Sequence, residues 1–159
     1  MLPLLKIAFC TALLGVFPVN ATDWSQWRGA QRDGAAPGAP WAASLAGIEL
    51  QWRVPLGKGY PGPVVGGDRI FVVETIDKKT VGVRALSRAT GQQLWQVTWS
   101  GTGNVPFFAK ANSDWVRSTP AWDGETLYVG DMAEVVVALD GATGSELWRV
   151  DFPRRYETP

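Results

Sequence analysis

Two stretches decide the fold: Ala85-Leu86-Ser87-Arg88-Ala89-Thr90-Gly91-Gln92-Gln93-Leu94-Trp95 and Ala138-Leu139-Asp140-Gly141-Ala142-Thr143-Gly144-Ser145-Glu146-Leu147-Trp148. Laid over each other without gaps, they share Ala, Leu, Ala, Thr, Gly, Leu and Trp, 53 positions apart. A second block repeats upstream in the same order. Pro63-Val64-Val65-Gly66-Gly67-Asp68-Arg69-Ile70-Phe71-Val72 pairs with Pro120-Ala121-Trp122-Asp123-Gly124-Glu125-Thr126-Leu127-Tyr128-Val129, there 57 positions apart. An insertion or deletion therefore separates the two blocks. Each copy is a series of short apolar runs broken by turn residues. Strands are expected over 69–74, 81–86 and 93–99, then over 118–122, 125–130, 134–139 and 146–152, with turns at Gly66-Gly67-Asp68 and Asp123-Gly124. Beyond the first residues no window holds a 3.6-residue apolar period, so the chain reads as all-β.

Four strands per unit at a period near 50 is the arithmetic of a β-propeller blade. A blade packs both faces against neighbours, so its middle strands must be apolar on both sides. Ile70-Phe71-Val72-Val73 and Val135-Val136-Val137-Ala138-Leu139 are continuous runs of that kind. The Ala-Thr-Gly segment falls where the third strand turns back into the fourth, and Gly91 and Gly144 supply the positive φ such a turn needs. Trp95 and Trp148 follow four residues later on the fourth strand, where an indole can dock on a neighbouring blade. A buried indole N–H needs an acceptor, and a loop carbonyl of that neighbour is the expected one.

The pattern Ala-x-Asp-x-x-Thr-Gly-x-x-x-Trp resembles the tryptophan-docking motif of quinoprotein-type propellers, the PQQ-like repeat. Ala138, Asp140, Thr143, Gly144 and Trp148 fill it, whereas Ala85, Thr90, Gly91 and Trp95 fill it with Ser87 in the Asp place. Asp23-Trp24-Ser25-Gln26-Trp27-Arg28-Gly29, with Arg32-Asp33-Gly34 after it, is similar to the N-terminal signature of exported members. The resemblance runs over about 23–152. Residues 22–47 show no periodicity and read as an extended lead-in, and Ile48 to Val54 alternates with period two as a half-buried strand does. The repeat gives a first blade over 62–99 and a second over 117–152, and the resemblance implies that strand 48–54, carrying Trp52, closes the ring. Two blades do not close a ring that takes four to eight. The sequence is therefore expected to be an N-terminal fragment with the rest of its propeller missing, the alternative being several chains that complete one ring together.

Composition removes several chemistries. The 159 residues include 15 basic and 15 acidic side chains, nine tryptophans, one cysteine and no histidine. Without imidazole there is no Ser-His or Cys-His catalysis, and the lone Cys10 makes no intrachain disulfide. Balanced charge leaves no electrostatic footprint for nucleic acid. Residues 1–21 carry Lys6, an apolar run over 7–17 and the small-residue site Val19-Asn20-Ala21, the signature of a secretory signal peptide. That run is too short to span a bilayer, which needs about 20 apolar residues. Cleavage after Ala21 would discard Cys10 and leave an exported protein, periplasmic or extracellular and not membrane-spanning.

Two function classes follow from the resemblance. One is a non-catalytic binding scaffold at the cell envelope with a protein or polymer as partner, as in the propeller subunit of the outer-membrane assembly machinery. The other is a quinoprotein-type oxidoreductase holding pyrroloquinoline quinone over calcium, with its active groups in missing blades. Such enzymes use an Asp base, Glu and Asn cation ligands and commonly adjacent cysteines. No cysteine pair is present and no segment matches the ligand set, so no catalytic or metal-ligating residue is assigned and no cofactor is expected.

The polar stretch between the blades is the candidate ligand site. Lys110 and Arg117 can hold a carboxylate or phosphate, Trp115 can stack on a ring or sugar, and Asp114 lies between them. A solvated loop with an Arg–Asp pair and an indole plugging the blade junction is the plainer account. Lys58-Gly59-Tyr60-Pro61 occupies the equivalent place before the first blade. Asp123 and Glu125 fall at a hairpin turn, which argues against a glycosidase carboxylate pair.

Overall fold

The computed structural model describes residues 23–36, 38, 44–101 and 113–156. It contains β1 (Val64–Gly66), β2 (Arg69–Ile76), β3 (Thr80–Ser87) and β4 (Gln93–Ser100), then β5 (Ala121–Trp122), β6 (Thr126–Gly130), β7 (Val135–Asp140) and β8 (Glu146–Asp151). Each set of four is one antiparallel sheet in sequential order, β1-β2-β3-β4 and β5-β6-β7-β8. These are the two blades of a partial propeller, as the repeat predicts.

Strands β2, β3 and β7 are buried through most of their length, β6 alternates between half-buried and buried, and the outer strands β4 and β8 are the most exposed. Phe71, Val73, Val81 and Val83 of the first sheet share one core with Leu127, Val129, Val137 and Leu139 of the second. The blades thus bury their apolar runs against each other rather than in separate cores.

The repeated motif builds the same turn twice. In the second blade Asp140 Oδ1 accepts the amides of Ala142 (3.0 Å) and Thr143 (2.7 Å) and the Thr143 hydroxyl (2.8 Å). The Gly144 amide donates back to the Asp140 carbonyl at 2.8 Å. Ser87 repeats this more weakly, its hydroxyl accepting the Thr90 amide at 3.3 Å while its carbonyl accepts the Gly91 amide at 2.8 Å. Past each turn the ladder slips by one residue: Ala85 pairs with Trp95 but Leu86 with Gln93, and Ala138 with Trp148 but Leu139 with Glu146. Leu94 and Leu147 are the extra residues of these two bulges, which re-aim the tryptophans that follow. The small Ala opposite each Trp leaves room for the ring.

The Asp140 carboxylate is held below its ordinary 3.8, first by the Thr143 hydroxyl and then by the Thr143 amide. A depressed folded value stabilises the fold fully above the unfolded pKa and loses that contribution as pH falls through the folded one. Urea midpoints measured from pH 7 to pH 2 are expected to fall less steeply below about pH 4 in Asp140→Asn than in the parent. Identical slopes would show that the turn does not depend on the charge.

Three expectations need correction. Residues 48–54 form no strand: a period-two pattern marks which side chains face a surface but does not supply a neighbouring ladder, and Ile48 and Leu50 stand exposed. The lead-in is not extended throughout. It folds into tight turns over 26–34, with positive φ at Arg28, Gly29, Arg32 and Gly34. Phe152, expected to end the last strand, instead opens a one-turn helix α1 (Phe152–Tyr156). Asp151 caps it by accepting the Arg154 amide at 3.1 Å, and Pro153 sits in the first turn, where no amide is needed. No described helix is long and apolar enough to cross a membrane.

Candidate functional site

The blade junction is built mainly from tryptophan. Trp95 donates its indole N–H to the Gly141 carbonyl of the next blade at 3.0 Å, and its ring covers Gly144. Trp52 does the same one step earlier, donating to the Arg88 carbonyl at 3.0 Å and covering Gly91. Arg88 and Gly141 occupy the same place in the two motif copies, so both indoles use one geometry. Trp99 adds a bond from β4 to Asp131 of the second blade at 2.8 Å. Trp122, on the innermost strand, wedges against Gly66 and Gly141 and lies 4.8 Å from the Phe71 ring, centroid to centroid. Trp148 stands 46% exposed beside Tyr128, with no acceptor for its N–H among the described residues.

The lead-in laces the inner edges together. Trp24 exchanges both backbone hydrogen bonds with Val65 of β1 at 2.9 Å, and the Ser25 carbonyl accepts the Trp122 amide at 2.8 Å. One segment therefore pairs with the innermost strands of both blades.

The candidate site lies at one end of this junction, where three segments converge: residues 57–60, the turn after β2, and residues 113–117. Their placement is fixed from below. Thr75 is buried; its amide donates to the Lys58 carbonyl at 2.6 Å and its hydroxyl accepts the Val116 amide at 2.8 Å. The Tyr60 amide in turn donates to the Val116 carbonyl at 3.0 Å. Beside Thr75, buried Glu74 pairs with Arg84, whose Nε lies 2.8 Å away without the alignment of a hydrogen bond and whose Nη2 donates at 3.1 Å. The same two side chains hold the incoming segment, Glu74 by accepting the Gly57 amide and Arg84 by donating to the Pro55 carbonyl at 2.9 Å. Breaking such a pair leaves one buried charge uncompensated, so the pair fixes geometry more than it adds stability.

On that base stands an aromatic and cationic surface. Lys58 Nζ lies over the Trp115 ring at 5.1 Å, Trp115 meets Tyr60 at 5.7 Å between centroids, and the Arg117 guanidinium lies over Tyr60 at 5.7 Å. Arg117 also donates to the Ser113 carbonyl at 2.7 Å. Next to it an open groove of about 410 Å³ is lined by Lys58, Asp77, Lys78, Asp114 and Trp115, among others.

Of the four residues expected at a ligand site, the structure brings Asp114, Trp115 and Arg117 to this end of the junction. Lys110 lies outside the described residues. Lys58 and Tyr60, noted only as an equivalent place, prove to be the partners of Trp115 and Arg117. Asp123 serves its turn instead, accepting the amides of Glu125 and Thr126 at 3.0 and 2.8 Å and the Tyr128 hydroxyl at 2.7 Å. Those bonds hold its carboxyl below the ordinary 3.8. The Glu74–Arg84 pair was missed. Its signal was a charge set against an apolar run in each of two middle strands, Glu74 after Ile70–Val73 and Arg84 between Val83 and Ala85. Among the described residues no three Asp, Glu, His or Cys are grouped to hold a cation.

Comparison with known proteins agrees with this architecture. The family model described as outer membrane protein assembly factor BamB matches residues 77–159. No curated protein matches the chain. Among solved structures, a quinohemoprotein alcohol dehydrogenase from Comamonas testosteroni is 22% identical with a TM-score of 0.58, over 85% of this chain and 20% of its own. A europium-containing methanol dehydrogenase is 24% identical with a TM-score of 0.47, over 65% and 18%. BamB from Moraxella catarrhalis is 22% identical with a TM-score of 0.41, over 55% and 23%. The chain thus spans about a fifth of the length of these structures, and the first of them carries the likeness of fold. With more than half of its residues matched, the chain belongs to the PQQ-type propeller-repeat family described as outer membrane protein assembly factor BamB.

Proposed function

We propose that the chain is part of a non-catalytic binding scaffold, exported to the cell envelope, whose partner is a protein or polymer held at the end of the blade junction. The observation that carries this reading is the sequence of contacts Lys58–Trp115–Tyr60–Arg117, in which Trp115 is half-buried and the other three are exposed. Aromatic and arginine side chains on a rigid base bind with little loss of conformational entropy, which is why they anchor interfaces. The signal-like residues 1–21 and the outer-membrane role in the family's description support export.

The direct test is co-sedimentation with purified cell envelope. Tyr60→Ala and Arg117→Ala together, both at exposed positions, are expected to lower retention about tenfold, the loss of one modest anchor. Retention equal to the parent's would overturn the reading. The scaffold is also proposed to work without a quinone. Adding pyrroloquinoline quinone and calcium to the intact protein is expected to leave its absorbance and Tm unchanged. A new absorbance band with a raised Tm would establish the oxidoreductase instead.

A further inference from the structure

Resting on that scaffold reading, we propose that the groove beside Trp115 takes a neutral saccharide segment of an envelope polymer. The argument starts from the rim. Lys58 and Lys78 are donors only, and Asp77 and Asp114 are acceptors only. All four border the groove, and none forms an ion pair or side-chain hydrogen bond with another described residue. Their formal charges cancel. An anionic ligand entering the groove would meet two carboxylates and a cationic one two ammonium groups, each desolvated at a cost. A hydroxyl both donates and accepts, so a polyol can satisfy all four groups at once.

The floor and the volume point the same way. Trp115 offers an apolar ring with a polar edge, which suits a sugar that is apolar on its C–H faces and polar around its rim. A volume of about 410 Å³ lies in the range of small-molecule pockets. The walls are also held in place. Lys58 and the segment of Trp115 are both tied to buried Thr75, by its amide and hydroxyl. Asp77 and Lys78 sit in consecutive left-handed conformations, φ 52° and 64°, where glycine or asparagine would be easier. The chain keeps charged residues at a turn that disfavours one of them, and that turn forms the groove's rim.

The test is calorimetric titration of the intact protein with three hexamers: maltohexaose and chitohexaose as neutral probes, and oligogalacturonate as an anionic one. At least one neutral probe is expected to bind. Trp115→Ala should weaken it about tenfold or more, and Lys78→Glu, at an exposed turn where folding is not at stake, about threefold. Trp115→Phe should recover part of the loss. Absence of binding by both neutral probes up to about 10 mM, a Kd well beyond the useful range, would overturn the proposal. So would tighter binding of oligogalacturonate, or unchanged affinity in both variants. Envelope co-sedimentation separates the two readings: if it persists while no neutral probe binds, the scaffold stands and the saccharide falls. Probe oxidised on incubation, seen by mass spectrometry, would overturn the scaffold while leaving the groove as a sugar site.

Discussion

Trp95→Ala is expected to lower stability by roughly 3 kcal/mol, the low end of the range for truncating a large aromatic, since the ring is partly buried. The indole loses its hydrogen bond to the Gly141 carbonyl, its cover over Gly144 and its tilted contact with Phe71, 5.9 Å between centroids. Because Phe71 belongs to the core shared by both sheets, the loss opens the junction rather than one blade. Trp148→Ala in the same chain is expected to cost less than about 1 kcal/mol, as befits a half-exposed ring. Urea denaturation of the two variants checks both numbers. Equal losses would show that position in the repeat, not docking on a following turn, sets the contribution of the indole.

Gly144→Ala is the second large effect, expected at about 2–4 kcal/mol from overpacking and backbone strain together. A Cβ there would lie 2.7 Å from the Trp95 ring, on a backbone at φ +76°. Gly67→Ala separates the two causes. Gly67 has φ +56° with nothing within 4 Å of a Cβ, so only strain applies and about 1 kcal/mol is expected. If both variants lose the same amount, the ring does not press on the glycine as closely as described.

The two blades were legible because they occur twice. Seven of the eight strands lie within a few residues of their expected places, while the short β1 was not expected as a strand. The turns follow from Asp140, Thr143 and the glycines, whose local chemistry needs no knowledge of the rest of the chain. What was not legible depends on partners distant in sequence. The alternation over 48–54 was real, but a strand needs a ladder, and what the segment contributes is the single indole of Trp52. The lead-in shows no periodicity, so nothing announced that Trp24 would pair with β1 and Ser25 with β5. Glu74 and Arg84 meet only once the register of β2 on β3 is known, since Val72 is the residue opposite Arg84. At the candidate site, Trp115 and Arg117 were visible as residue types, while Tyr60 and Lys58 lie more than fifty residues earlier and come to them through Thr75.

The indole contacts have a direction. Trp52 reaches forward to the turn of the first blade and Trp95 forward to the turn of the second, each carrying a donor that fits a receptor one unit ahead. A head-to-tail contact of this kind has no built-in stopping point. The first receptor among the described residues, the Arg88 carbonyl, is already filled from within the same chain. An indole offered to that turn by another molecule would find the carbonyl taken. Trp52→Ala empties that receptor, and its expected signature is a lower urea midpoint, from the lost indole hydrogen bond and the uncovered Gly91.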